Sequence, residues 1–315
     1  MKKISIIYTL FFLLISCSPQ EKTSTPLEKN GIKLEKSTTF QPKNRVDQFY
    51  KLPHFAGKAE VCTYELQRAR YNGVHPGEAV LIFVTEPFLP NQQVKSDEGV
   101  NKNTINVLKM NRIDRFTTGV YDYSMFTSVF TPLSRYSLEY PLKITFSSQD
   151  WCGQLYTQLN NSDGFEYKQF SYFQNEGDTS MHLPYEISED NIFNIARIDE
   201  TKLPEGEFVI YPMQSYARTA HIPFDSYQAK GEVVEEDSLF IYRYSIPQLR
   251  RNVSIYMDQS QNNRILKWTE EYRTVFDNEM RTSTYVLKAV QSLPYWSLNE
   301  LQNRVYRDSL NVVQY

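Results

Sequence analysis

The chain has 315 residues, 34 Lys and Arg against 37 Asp and Glu for a net charge of −3, and 14% aromatic residues, with 23 Tyr and 19 Phe beside 11 Gly. An acidic balance without a Lys/Arg cluster excludes a nucleic-acid partner, which needs a positive field. Richness in aromatic residues favours sheet over a helix bundle.

The first element is an export signal. Met1, Lys2 and Lys3 form a positive start, and Ile4 to Ile15 is an apolar run too short to span a bilayer as a helix. It ends in Leu14-Ile15-Ser16-Cys17, which resembles the lipobox of bacterial lipoproteins. That resemblance implies that residues 1–16 are removed, that the Cys17 sulfur takes a diacylglycerol, and that the new amino group is acylated; a thiolate is the nucleophile this chemistry needs. Several acyl chains give stable anchoring to a membrane. Ser18 rather than Asp follows the cysteine, which in such lipoproteins implies the outer membrane. The expected localisation is therefore the cell envelope, lipid-anchored, with the membrane as a partner through Cys17. Residues 17–46 hold mostly Lys, Glu, Ser, Thr and Pro, with Phe40 the one aromatic residue among them; they bury too little apolar surface to fold and form a tether.

From Asp47 to Tyr315 the sequence predicts a mainly β domain: antiparallel, curved sheet or half-barrel, with one or two short helices. A division into halves, 47–185 and 186–315, stays open. "EVCTYELQRARY" and "EAVLIFVTEPF" are strand-like runs separated by "NGVHPG", whose Asn72-Gly73 and Pro76-Gly77 pairs predict a longish hairpin loop. Strand-like runs follow at "INVLKMNRIDRFTTG", "VYDYSMFTSVFTP", "PLKITFSSQDW", "CGQLYTQLN" and "FEYKQFSYFQN", an antiparallel meander. A helix interrupts them. Ser188 is its expected cap, Glu189 and Asp190 suit its first turn, Ile192, Ile195, Ala196 and Ile198 form its apolar stripe, and Pro204 stops it. Strands are expected again at "GEFVIYPM", "ARTAHIPFDSYQAKGEVV", "SLFIYRYSIP", "NVSIYMDQ" and "RILKWTEEYR", and "TYVLKAVQSLPYWSLNELQNRVYRDSL" closes the chain with a short helix.

A helix followed by "LPEGEFVIYPM" and strands ending in "NRILKWTEEY" resembles the half-barrel domains related to lipoprotein-localisation carriers, in which a curved sheet wraps a helix and its concave face holds acyl chains. "NGVHPGEAVLIFVTEPF", "FTTGVYDYSMFTSVFTP", "SSQDWCGQLY" and "PYWSLN" resemble a family of uncharacterised lipoproteins from Bacteroidota, which implies no particular activity. Members are sometimes labelled septum-formation inhibitors of the Maf type. Maf proteins are α/β nucleotide pyrophosphatases with a phosphate loop, and this chain has neither alternating β-α units nor such a loop.

No catalytic or metal-binding motif is present, so neither a catalytic residue nor a cofactor is expected. His54, His75, His182 and His221 lack ligand-type spacing. Once Cys17 is lipidated, Cys62 and Cys152 remain, either as a disulfide or as separate thiols. Asp150, Trp151 and Cys152 form the most unusual string: a thiol nucleophile in one reading, a turn with Trp151 packed in the core in the other. Three functions stay open. The first is a non-enzymatic envelope lipoprotein binding an apolar or lipidated ligand, with Ile192, Phe193 and Ile195 along the apolar groove. The second is an interaction or scaffold subunit of an outer-membrane assembly, with an envelope protein as partner. The third is a thiol-dependent enzyme centred on Cys152.

Overall fold

The computed structural model describes residues 56–313 except 135, 237 and 238. The leader, Cys17, His54 and the tether lie outside the described residues. The described chain forms one sheet of 16 strands with two short helices held against its concave face and a C-terminal segment on the other. The strands are β1 (Ala59–Arg70), β2 (Gly73–Leu89), β3 (Val94–Lys95), β4 (Ile105–Thr118), β5 (Tyr121–Pro132), β6 (Lys143–Gln149), β7 (Gln154–Ser162), β8 (Gly164–Ser171), β9 (Thr179–Leu183), β10 (Ile187–Ser188), β11 (Gly206–Tyr211), β12 (Tyr227–Glu236), β13 (Leu239–Ile246), β14 (Arg251–Asp258), β15 (Arg264–Arg273) and β16 (Met280–Leu293).

Neighbours in sequence are neighbours in the sheet. The order runs β10 to β16, then β1, β2, β4 and on to β9, with β3 attached to β2. The two blocks join where β1 pairs antiparallel with β16, from Ala59 opposite Leu293 to Gln67 opposite Thr284. β10 beside β11 is the parallel exception. The sheet does not close into a barrel: its edges are β9 and β10. Near that break the Phe165 and Tyr211 rings lie 6.3 Å apart, and the Tyr211 hydroxyl donates to Pro184 O at 3.0 Å.

Among the described residues, three short helices complete the fold: α1 (Ile192–Ile198), α2 (Gln214–Thr219) and α3 (Val305–Ser309). The stripe expected from the sequence is present in α1, but the expected cap is not. Ser188 makes no capping bond, and Glu189, Asp190 and Asn191 form a 3-10 turn leading into the helix. Glu189 and Asp190 are buried and turn toward α2, where Glu189 Oε2 accepts from Met213 N at 2.8 Å and Asp190 Oδ2 from Gln214 N at 2.9 Å. Two side-chain carboxyl groups thus satisfy orphan donors of a different helix. That is why a helix the sequence did not predict forms between the expected strands and takes the first residues of "ARTAHIPFDSYQAKGEVV", whose strand starts only at Tyr227: "QSYART" has no apolar stripe and takes its cap from distant residues.

The first hairpin also differs from expectation. Its turn is Tyr71-Asn72, and His75, Pro76 and Gly77 belong to β2, Pro76 lying opposite Gln67. Gly77 is required inside the strand, because a Cβ there would collide with Arg115 O and the Phe116 side chain.

One apolar core fills the concave side. It unites Tyr64, Leu66, Leu81, Phe83, Met110, Phe146, Trp268 and Tyr285 of the sheet with Ile192, Phe193 and Ile195 of α1. Phe193 meets the Trp268 ring edge-on at 5.3 Å, and Trp268 stacks on Tyr285 at 4.0 Å. A smaller cluster lies on the convex side, where Tyr295 and Leu310 pack over Ala59, Val61 and Val84. There the C-terminal segment straps β1, Leu310 O accepting from Thr63 Oγ1 at 2.6 Å.

Candidate functional site

Embedded in the apolar core is a buried ionic network. Arg112 Nη2 donates to Asp114 Oδ2 and Glu270 Oε1, each at 2.8 Å. Arg251 Nε donates to Glu189 Oε1 at 2.7 Å, and its Nη2 reaches Glu270 Oε2 at 3.2 Å. Arg68 Nη1 lies 3.8 Å from Glu270 Oε2 and donates to the Tyr285 hydroxyl at 2.8 Å. Burial alone would raise the Glu270 carboxyl, but Arg112, Arg251 and Arg68 together hold it well below the usual carboxylate range. Asp190 is the opposite case. Burial pushes it up to about 7, against the Gln214 N–H bond and with the Glu189 charge adding to the rise. Three arginines therefore balance Asp114, Glu189 and Glu270, and a protonated Asp190 leaves the set neutral. The sequence carried a sign of this network: Arg68, Arg112, Asp114 and Glu270 stand in register with Tyr64, Leu66, Leu108, Met110 and Trp268, charges on the apolar phase of their strands.

Packed among rings on every side, this network is a structural core. Arg251 lies over the Tyr216 ring at 4.4 Å and Arg112 over the Tyr285 ring at 4.8 Å. Ile192, Phe193 and Ile195, the expected groove residues, are fully enclosed in the same core. They plug the concave face instead of lining an open groove.

The cysteines are not brought together. Cys62 is a free, buried thiol on β1 and Cys152 a free, exposed one in the β6–β7 turn, with β2, β4 and β5 between β1 and β6. Cys62 Sγ lies 3.6 Å from Glu60 Oε1, and burial first, then the Glu60 charge, push its thiol up to about 12, which makes it inert. Asp150, Trp151 and Cys152 form an exposed turn in which Asp150 Oδ1 accepts from Cys152 N at 2.7 Å and Gly153 N at 3.2 Å. Trp151 is 71% exposed rather than packed in the core. Among the described residues no histidine poses Cys152 as a nucleophile. His221 Nδ1 pairs with Glu176 Oε1 at 2.7 Å, His75 Nε2 bonds Arg70 O at 3.1 Å, and His182 packs beside Gly164. Among the described residues no group of three or more His, Cys, Asp or Glu is placed to hold a metal ion.

The convex face of β5 to β8 is different. Along each strand side chains alternate between core and solvent, and cross-strand register aligns the outward ones in rows. Phe126 lies opposite Ser147, Ser147 opposite Tyr156 and Tyr156 opposite Phe170. Phe126 is 39% exposed, Tyr156 37% and Phe170 50%, and the last two rings stack at 6.4 Å. On the strand-end side of this row lie exposed Trp151 and Tyr172. In the other direction, four residues or about 13 Å along the strands, Lys143, Asn160 and Glu166 form a polar row. With the loops after β2 and β5, Asn160 and Glu166 of this row border a cleft of about 440 Å³. The sequence held a trace of both rows, since Phe126, Tyr156 and Phe170 fall on the polar phase of amphipathic strands.

The fold is that of a mainly β protein with one large, mostly antiparallel sheet that does not close into a barrel and has a filled concave side. Among solved structures, the chain is similar to a β-barrel-like protein of the domain of unknown function DUF1849 from Brucella abortus, with 9% identity, a TM-score of 0.42, and coverage of 75% of this chain and 98% of that one. It is also similar to a porin-like protein from Bacteroides uniformis, with 10% identity, a TM-score of 0.22, and coverage of 74% and 96%. No protein-family model and no curated protein matches the chain.

Proposed function

We propose that the protein is a lipid-anchored, non-catalytic interaction subunit of the outer membrane, engaging a partner protein held in the same membrane through the outer face of β5 to β8. The observation that carries this reading is the row Phe126, Tyr156 and Phe170, with Trp151 and Tyr172 beside it, exposed on a sheet whose other outward positions include Lys168, Lys230 and Glu232. Exposed aromatic residues grouped in this way mark protein interfaces. The resemblance of Leu14 to Cys17 to a lipobox supports the anchor. The carrier reading finds less support, because an acyl chain on the concave face would have to displace α1 from its core.

The test is a photo-crosslinking amino acid at Tyr156 in the native envelope, with Gln228 on the exposed side of β12 as the control. One discrete protein adduct is expected at Tyr156 and none at Gln228. It should be lost in Phe126→Ser/Phe170→Ser and reduced when Cys17→Ala releases the protein from the membrane. An adduct insensitive to both changes, or none at all, refutes the proposal.

A further inference from the structure

Successive turns along one rim of the sheet carry exposed apolar tips. The strand register puts the β15–β16, β1–β2, β4–β5, β6–β7 and β8–β9 turns at the same end of the ladder. In that order they present Val275 and Phe276, then Val74, Val120, Trp151 and Tyr172, with Phe276 70% and Val120 79% exposed. Among the described residues, the connections at the other ends of β2 to β9 expose only Val94 and Val100 as large apolar side chains. Behind the tips lies a cluster of phenols. The Tyr71 hydroxyl is 2.6 Å from those of Tyr121 and Tyr123, and the Tyr71 ring meets Phe276 edge-on at 6.4 Å.

These side chains fit a lipid surface better than a protein. They stand one or two to a turn along a curved edge, whereas the apolar centre of a protein interface is a continuous, closely packed patch. A bilayer interface is fluid and takes such tips singly, and amphipathic rings such as Trp and Tyr favour headgroup depth. The turns hold no Lys or Arg, so they lack the basic cluster that anionic lipids select. Their acids are held within the protein: Asp277 pairs with Arg281 at 2.5 Å, Glu176 with Arg218 at 3.3 Å, and Asp150 bonds its own turn. A rim without a strong field matches zwitterionic headgroups. The chain length also permits contact. The 39 residues from Cys17 to Ala56 can span at most about 130 Å, against roughly 40 Å for the length of β1, so an acyl group on Cys17 and the rim can reach one bilayer.

We infer that this rim inserts into the interface of a zwitterionic bilayer and stands the strands upright on it, so that the outer face of β5 to β8 looks sideways toward neighbours in the membrane. The inference rests on the rim and not on acylation of Cys17. The test reconstitutes the mature protein in phosphatidylcholine vesicles with a fluorophore on Cys152, the exposed thiol beside Trp151, and a phosphatidylcholine carrying a nitroxide near its headgroup as quencher. Quenching is expected at Cys152 and not at Asp163→Cys in a Cys152→Ser background, about 30 Å away at the other end of β7. Val120→Asp/Phe276→Asp, two exposed changes, should bring Cys152 quenching down to the Asp163 level, and Val100→Asp should leave it unchanged. If the double variant loses its cooperative unfolding transition, Trp151→Asp takes its place with the same expected loss. If mass spectrometry finds Cys17 without acyl chains, the label is placed in a Cys17→Ser background, the protein is added to preformed vesicles, and the same pattern is expected. Quenching at Cys152 no greater than at Asp163, or equal in all variants, overturns the inference. Shielding of Cys152 in the native envelope without quenching in vesicles gives the rim to a protein partner and overturns it as well. The Tyr156 adduct is read separately, so either proposal can fail alone.

Discussion

At the scale of single residues, the buried charges dominate both stability and its pH dependence. Arg251 sits between Glu189 and Glu270, so Arg251→Met takes from Glu189 its paired arginine and leaves Glu270 with Arg112 and Arg68. Breaking a buried pair in this way costs about 3–5 kcal/mol, to be read from the urea unfolding midpoint. Asp190 makes a prediction of opposite character. In the unfolded chain its carboxyl ionises above the ordinary 3.8, whereas the folded protein keeps it protonated to about 7. Stability should therefore fall as pH rises through that window, by roughly 1.4 kcal/mol per unit, and level off above it. Asp190→Asn keeps an acceptor for Gln214 N and should flatten the unfolding profile between pH 4 and 7; an unchanged slope would assign it to other groups. Glu270 works in the reverse sense, its contribution complete above the ordinary carboxylate range and lost as acid protonates it. The thiols give a simpler contrast. Cys152 should react with a thiol reagent in the native protein at once, and Cys62 only as the protein unfolds. These charges were partly legible in the sequence, as misplaced polar residues on apolar strand phases, but their partners were not: Arg112 and Glu270 lie far apart in the chain, and no local pattern encodes their meeting.

At the scale of elements, α1 holds the concave face together and the C-terminal strap guards the convex one. Phe193→Ala removes the ring that meets Trp268 and should cost about 3–5 kcal/mol, again measured by denaturant unfolding. Removing the chain beyond Leu293 uncovers Val61 and Val84 and should lower stability by up to roughly 2 kcal/mol for each apolar side chain fully returned to water. The sequence announced α1 through its apolar stripe and the strands through their alternation. α2 was illegible because its cap comes from Glu189 and Asp190 and its site from tertiary packing. The β1–β2 turn was misjudged because Pro76-Gly77 usually signals a bend, whereas here Gly77 serves a close approach to β4.

At the scale of the molecule, a meander this long is most exposed at its break. β9 and β10 carry the unpaired edges, while β1, β2 and β4 lie deep in the ladder on both sides. Backbone amide exchange should be slowest in β1, β2 and β4 and fastest in β9 and β10. The mainly antiparallel curved sheet was legible from composition and alternation, and so was the helix it wraps. The filling of the concave face was not, since nothing local distinguishes a strand lining a cavity from one packed on a plug.

The pairing of β1 with β16 has a consequence for how the chain matures. The first strand of the sheet waits for the last: until Leu293 is made, β1 has β2 on one side and an unsatisfied backbone on the other. The nascent chain therefore cannot complete its fold in stages from the N-terminus. It stays incomplete, and open to capture by a chaperone, until its C-terminal strand arrives.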